Sequence, residues 1–257
     1  MELPSLCHPV APANRLELTN QDEDTVTHRM TPPLLISFSG MDGAGKSTQI
    51  QSLRLWLRDA GLRVRVMAFW DDIAVFKGFR ETSSHVLFNS EKGIGSPDKP
   101  VERRDKNVRA WYMTPARFLL YFADTLGLAV AIWKIHRQPD ADVVIFDRYL
   151  DDELVNLNLK SRISRFYARF LLKISRRPDL ALLLDADPES ARARKPEYPL
   201  AFLLTIRNAY RELATLSGDV TVIPAGDVAA VESRIRERLE QRLADQALAP
   251  RPISLVG

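Results

Sequence analysis

The chain alternates between two hydrophobic patterns. Short apolar runs occur at LLISFS (34–39), LRVRVMAFW (62–70), ADVVIFD (141–147), DLALLLDA (179–186) and VTVIPA (220–225), which predicts five strands. The near-continuous run in ADVVIFD is what a strand covered on both faces requires. Between the runs lie segments of helical period. Thr48 to Ala60 sets Ile50, Leu53 and Leu57 on one face, with Gly61 as its stop. Residues 115–136 read as a long apolar helix, 161–175 as a basic amphipathic one, and 199–216 and Val228 to Leu243 as two more. Strands alternating with helices predict an α/β fold with a parallel sheet and right-handed crossovers. Ligands on such sheets bind beyond the carboxyl ends of the strands.

The polar stretches divide the chain. Residues 1–33 read as a loose N-terminal tail, 34–243 as one domain, and 244–257 as a C-terminal tail. NSEKGIGSPDKPVERRDKN (89–107) reads as a mobile loop with Gly and Pro. Its cations, Arg103, Arg104 and Lys106 with the nearby Arg109, face solvent by default, and Trp111 and Tyr112 read as core. The apolar run over 117–135 is about long enough to span a bilayer. Asp124 falls inside it, at about 2.5–3.5 kcal/mol on insertion scales, so the reading is a buried helix and no membrane partner is expected.

Composition adds little against this picture. Hydrophobic residues make up 46% of the chain, enough for a sizeable core, and a net charge of +3 suits an anionic small molecule without pointing to nucleic acid. The one cysteine, Cys7, excludes a disulfide framework within the chain, so a reducing, cytoplasmic location is expected.

Candidate chemistry falls at strand ends. Gly40-Met41-Asp42-Gly43-Ala44-Gly45-Lys46-Ser47 fits G-x-x-x-x-G-K-[ST] between a strand and a helix. Glycines let backbone N–H groups approach a polyphosphate, and the helix from Thr48 presents its N-terminus to the anion. Lys46 is expected at the β- and γ-phosphates and Ser47 on Mg²⁺. Asp42 reads as a turn former or as an acid near the transferred group. The third strand ends in Asp147-Arg148-Tyr149. Asp147 can serve Mg²⁺, and Arg148 offers a planar fork to an acceptor's phosphate, though a structural ion pair would use the same residues.

The order GMDGAGKSTQ, VVIFDRY, PDLALLLDADPESARAR, RNAYRELA resembles the thymidylate kinase family of nucleoside monophosphate kinases, over roughly residues 34–243. The resemblance implies a three-layer P-loop NTPase fold, a parallel sheet of about five strands with helices on both faces. It implies transfer of the ATP γ-phosphoryl group to a nucleoside monophosphate with Mg²⁺. A homodimer is also implied. Arg192 and Arg194 fall in the family's LID, here a short one over 188–199 because of Pro196 and Pro199. The loop position at which some members carry an arginine is Ala44, so the arginine facing the transferring phosphoryl group is expected from the LID.

The acceptor region departs from the family. No R-E-P-G-G-T-like segment comes after the second strand, where AFWDDIAVFKGFRE stands instead. In the long helix Tyr121 takes the place of the base-stacking aromatic and Thr125 that of the base-reading arginine. After Tyr149 come Asp151, Asp152 and Glu153, read either as a charged helix start or as acceptors for a sugar hydroxyl or exocyclic amine. Acceptor-binding candidates are therefore Arg148, Tyr149, Tyr121 and Asp152. The base stays open. So do two other readings: a kinase for a nucleoside or other non-thymidylate acceptor, and a nucleotide-binding switch without turnover.

Overall fold

The structure is a computed structural model that describes residues 32–73 and 113–248. The 89–107 loop, Arg103 to Tyr112, Cys7 and most of both tails lie outside the described residues. Five parallel strands, β1 (Leu34–Ser39), β2 (Val64–Ala68), β3 (Val143–Asp147), β4 (Leu180–Asp185) and β5 (Val220–Pro224), form one sheet in the order β2-β3-β1-β4-β5. The three inner strands carry the longest apolar runs. β1 and β4 are buried throughout, whereas the edge strands β2 and β5 are only partly covered.

Side-chain alternation splits the core in two. On one face Leu34, Ile36 and Phe38 of β1 join Ile50, Leu53 and Leu57 of helix α1 (Lys46–Asp59) and Ile235 and Leu239 of α7 (Val228–Leu248). On the other face Leu35, Val144, Phe146 and Leu183 meet α2 (Met113–Arg137), α3 (Leu150–Leu154), α4 (Arg162–Ile174) and α6 (Leu200–Ser217). Each fully buried Ile, Leu or Phe contributes roughly 1.5–3 kcal/mol, so the two clusters hold the sheet from both sides. The arrangement is the three-layer α/β fold that the strand–helix alternation requires.

Three differences from the sequence reading have local causes. β2 stops at Ala68 because Phe69–Ile73 winds into a π-helical turn, closed by the Ala68 N–H donating to Asp72 Oδ2 at 2.8 Å. The last helix continues to Leu248, five residues into the expected tail. The third difference is in α2, which is not buried all round. It is the one described helix long and apolar enough to cross a membrane. Tyr121, Leu128, Ile132 and Ile135 pack inward with Asp124, while Leu119, Phe122, Leu126, Val130 and Trp133 form an exposed stripe at three- and four-residue spacing. The apolar run is therefore two faces, of which the sheet covers one.

Register brings the chemical residues together. Phe38 of β1 lies opposite Asp147 of β3, and Ala68 of β2 lies opposite the same Asp147. Residues 40–45, 69–70 and 148 therefore leave the sheet side by side at its carboxyl edge.

Candidate active site

The loop after β1 turns on glycine. Gly40, Gly43 and Gly45 all have positive φ, at 141°, 79° and 89°. At Gly43 the space is also closed: a Cβ would stand 2.4 Å from the Ala191 carbonyl oxygen of α5 (Pro188–Arg194). The first i→i−4 bond of α1 runs from the Gln49 N–H to the Gly45 carbonyl at 3.1 Å. The amides of residues 45–48 precede it, so they form the ready anion site of a helix N-terminus.

Lys46 is buried, and its Nζ donates to the Gly40 and Met41 carbonyls at 2.7 and 3.0 Å. Burial, followed by the nearby Arg148 charge, lowers its pKa to about 8 against the opposing pull of Asp152, Asp42 and Asp147. Ser47 and Thr48 are exposed at the helix start. Asp147 Oδ1 is buried with no hydrogen-bond partner. An orphaned carboxylate oxygen at the end of a strand at the sheet's carboxyl edge is a donor Mg²⁺ takes when a Ser hydroxyl and phosphate supply its other ligands. Among the described residues no cluster of three His, Cys, Asp or Glu side chains can hold a metal by itself, and His136 is occupied with the Ile132 carbonyl at 2.8 Å.

Arg148 is gripped from three directions. Nη2 donates to Asp42 Oδ1 at 2.5 Å, Nη1 to Asp152 Oδ1 at 3.3 Å, and the guanidinium carbon stands 4.5 Å above the Trp70 ring. Burial works against its charge, but Asp152, Asp42 and the Tyr210 oxygen outweigh this and raise its pKa above the ordinary arginine value. Its φ is +73°, the one non-glycine residue in the left-handed region among those described. That conformation costs about 1–2 kcal/mol, and the surrounding contacts hold it.

Asp152 is buried and saturated. Oδ2 accepts from Ser39 Oγ at 2.6 Å and from the Tyr149 N–H at 3.1 Å, while Oδ1 accepts from the Tyr210 hydroxyl at 2.7 Å and from Arg148. Its two neighbours are equally committed. Asp151 pairs with Arg177 at 2.9 Å, and Glu153 Oε1 accepts from the Trp70 indole N–H at 2.6 Å. The acidic run therefore ties α3 to the sheet rather than waiting for a sugar hydroxyl or amine.

The structure brings Arg148 and Asp152 to a common cleft and leaves the two tyrosines out of it. Tyr149 is fully buried, packs edge-on against Phe146, and donates its hydroxyl to the Arg176 carbonyl. Tyr121 is buried in the core under α2, and Thr125 returns its hydroxyl to the Tyr121 carbonyl at 2.7 Å. Tertiary packing, which the motif spacing does not carry, turned both rings inward. The cleft is walled instead by Trp70, Tyr198 and Phe202, with Val155, Leu203 and Ile206 around them and Asn156, Asp42 and Arg148 as polar groups. Asn156 Nδ2 donates to the Asp152 and Glu153 carbonyls at 3.1 and 3.3 Å.

The two LID arginines part company. Arg194 lies with Nη1 3.8 Å from where a Cβ on Gly45 would be, so it stands at the phosphate loop. Arg192 is two positions away on the same helix, and residues so spaced do not share a face. The helix ends at Arg194, before Pro196, as the prolines require.

Four residues lie inside the quoted motifs but take no role in the sequence reading. Asp185, at the end of β4, accepts from Arg207 at 2.6 Å and from Arg211 at 2.5 Å, locking α6 to the strand end. The Tyr210 hydroxyl reaches both Asp152 and the Gly40 carbonyl, the latter at 3.3 Å. Arg207, Tyr210 and Arg211 fall within RNAYRELA, one helical turn from 207 to 211, a motif that carries the family resemblance without assigning them a role.

No protein-family model matches the chain. Curated relatives do. It is 30% identical over 175 residues to the thymidylate kinase of Chlorobium luteolum, covering 66% of this chain and 71% of the relative. It is 30% identical over 226 residues to the thymidylate kinase of Bifidobacterium longum, covering 79% and 98%. A probable thymidylate kinase of Methanothermobacter thermautotrophicus is 28% identical over 211 residues, with 80% and 94% covered.

Proposed function

The chain belongs to the thymidylate kinase family, and on that premise we propose that it transfers the γ-phosphoryl group of ATP to a nucleoside monophosphate. One observation carries the reading: Arg148, a charged fork held in a strained backbone conformation, faces a cleft with aromatic walls next to the phosphate loop. The described cleft encloses only about 20 Å³, so a base enters only as the aromatic walls part, while the fork suits the acceptor's phosphate. Without a phosphorylated acceptor the strain at Arg148 would have no return.

The work is divided among the residues. The Gly40–Thr48 backbone cradles the ATP phosphates, and Lys46 leaves its two carbonyls to lie along the β- and γ-oxygens. Ser47 and Asp147 hold Mg²⁺, which when bound neutralises charge on the phosphate oxygens. Arg194 closes over the γ-phosphoryl group, with Arg192 in support from the short 188–199 LID. Asp42 aligns Arg148 and the acceptor. Asp152 acts through Arg148 and Tyr210. Tyr121 and Tyr149 serve the acceptor only by holding the elements that form the cleft. Catalysis is mainly positioning and charge stabilisation.

A panel of nucleoside monophosphates and unphosphorylated nucleosides, read by Mg²⁺-dependent ADP release, tests this. The expected result is turnover with at least one monophosphate and none with nucleosides. Turnover with nucleosides alone would replace the reading with a nucleoside kinase, and ATP binding without any turnover would replace it with a nucleotide-responsive module.

The small-molecule partners are nucleotides. The exposed stripe Leu119, Phe122, Leu126, Val130, Trp133 supports a homodimer, since a 3-and-4 spacing from 119 to 133 on this helix forms a seam that a second copy of α2 can fill. Leu126→Arg is expected to convert a dimer to a monomer in sedimentation equilibrium. A wild-type monomer at micromolar concentration would refute it. The preparation is expected to be cytoplasmic and to need no lipid.

A further inference from the structure

We infer that Trp70 and Glu153 are positioning residues that fix the plane of Arg148, a role this chain builds from the segment after β2. The inference rests on the reading of Arg148 as the group that holds the acceptor's phosphate.

The sheet register sets it up. Ala68 and Asp147 are opposite one another, so Trp70 and Arg148 emerge from neighbouring strands at nearly the same height. The π-helical turn, with Phe69 completely buried as its anchor, then swings the indole under the guanidinium. The ring would be free to rotate about its side-chain bonds if nothing held its far edge. Glu153, buried on α3, holds it through the 2.6 Å bond from the indole N–H.

The consequence is geometric. A guanidinium has one plane and two faces, and it binds a phosphate through N–H groups in that plane. Asp42 and Asp152 take one N–H on each terminal nitrogen, which still leaves the plane free to pivot about the line between them. With the guanidinium carbon 4.5 Å from its centroid, the indole face opposes that pivot. Trp70 thus decides which way the remaining N–H groups of Arg148 point, in a cleft that both residues line. Glu153 acts one contact further back, on the ring.

Two readouts separate this from a merely structural role. The first needs no substrate turnover: the Arg148 Nε–H signal in a nitrogen–proton spectrum of the whole protein, assigned by its absence in Arg148→Lys. Stacked over an indole it is shifted upfield by the ring current. Trp70→Phe is expected to keep part of the shift and Trp70→Ala to abolish it. Glu153→Ala is expected to broaden or split it, and Glu153→Gln, whose Oε1 still accepts from the indole, to restore one sharp line. The second readout is steady-state kinetics with thymidine monophosphate as the probe acceptor. KM for the acceptor is expected to rise about tenfold in Trp70→Ala and about threefold in Trp70→Phe and Glu153→Ala. Glu153→Gln is expected to recover most of the loss, with ATP affinity unchanged throughout.

An unmoved Arg148 signal in Trp70→Ala overturns the inference, whether or not the protein turns over this acceptor. Equal losses in ATP and acceptor binding overturn it too, since they would mark general damage to the fold. If thymidine monophosphate is neither bound nor phosphorylated, the proposed function loses its probe, while the spectrum still decides the positioning role.

Discussion

Lys46→Ala lowers acceptor-dependent ADP release by about 10³-fold or more, the scale on which single phosphate-facing cations act in phosphoryl transfer. The side chain is the one flexible cation inside the loop, and in its resting place it is bound by two carbonyls that cannot neutralise it. The same burial makes ATP binding depend on pH in a defined direction. With a pKa near 8 in the free protein, Lys46 loses its proton as pH rises above 8, and polyphosphate binding must restore it. Apparent ATP affinity is therefore flat below about pH 7 and falls by up to tenfold per pH unit above 8. Calorimetry in two buffers of different ionisation enthalpy reads the proton uptake directly, and Lys46→Met removes it. An affinity that holds level from pH 7 to pH 10 would mean that this lysine is not at the phosphates.

The stability of the unliganded protein moves the opposite way. The unfolded chain keeps a lysine pKa near 10.5, above that of the folded state. Between pH 8 and 10.5 the unfolded state binds the extra proton, so this group's contribution to stability rises with pH across that window. Below pH 8 the charged ammonium is a standing cost of the fold.

Arg148→Ala removes acceptor-dependent turnover by about 10²- to 10³-fold while leaving ATP affinity within a few-fold of wild type. Fold stability falls less than a buried ion pair would suggest. Asp152 keeps Ser39, Tyr210 and the Tyr149 amide as donors, so the expected cost is about 1–3 kcal/mol. Arg148→Gly supplies the control. It loses the same fork but also relieves the positive φ, so it unfolds at higher denaturant concentration than Arg148→Ala while being equally inactive. If the alanine variant turned over normally, Arg148 would be a structural clamp and its strain would belong to the fold.

Much of this architecture was legible because it depends on local patterns. Apolar runs located five strands, and helical period located the five long helices to within a few residues but not the short α3 and α5. A glycine-rich turn between a strand and a helix has few other uses, so the phosphate loop could be read from its spacing. The aspartate and arginine after β3 were legible for the same reason, since a strand that ends at the carboxyl edge delivers its next residues to the ligand side.

The illegible part depends on direction. Tyr149 adjoins Arg148 in the chain, yet the positive φ at Arg148 sends the two side chains apart, one to the cleft and one into the core. Asp152 read either as part of a charged helix start or as an acceptor for a sugar hydroxyl or amine, and it is surrounded by four donors from three separated stretches of chain. Trp70 sat in the stretch where the family's acceptor segment was missing, and nothing local says that its partner lies 83 residues away on α3. Asp185 likewise read only as part of a strand, because its two arginines come from the helix beyond the LID.

One tie has a thermodynamic consequence. Tyr210 joins α6 to the Gly40 carbonyl, and the same helix contributes Phe202, Leu203 and Ile206 to the cleft wall. With nucleotides bound at the loop and in the cleft as proposed, any shift of α6 felt at both sites would let each alter the other's dissociation constant. Reciprocity requires the two factors to be identical.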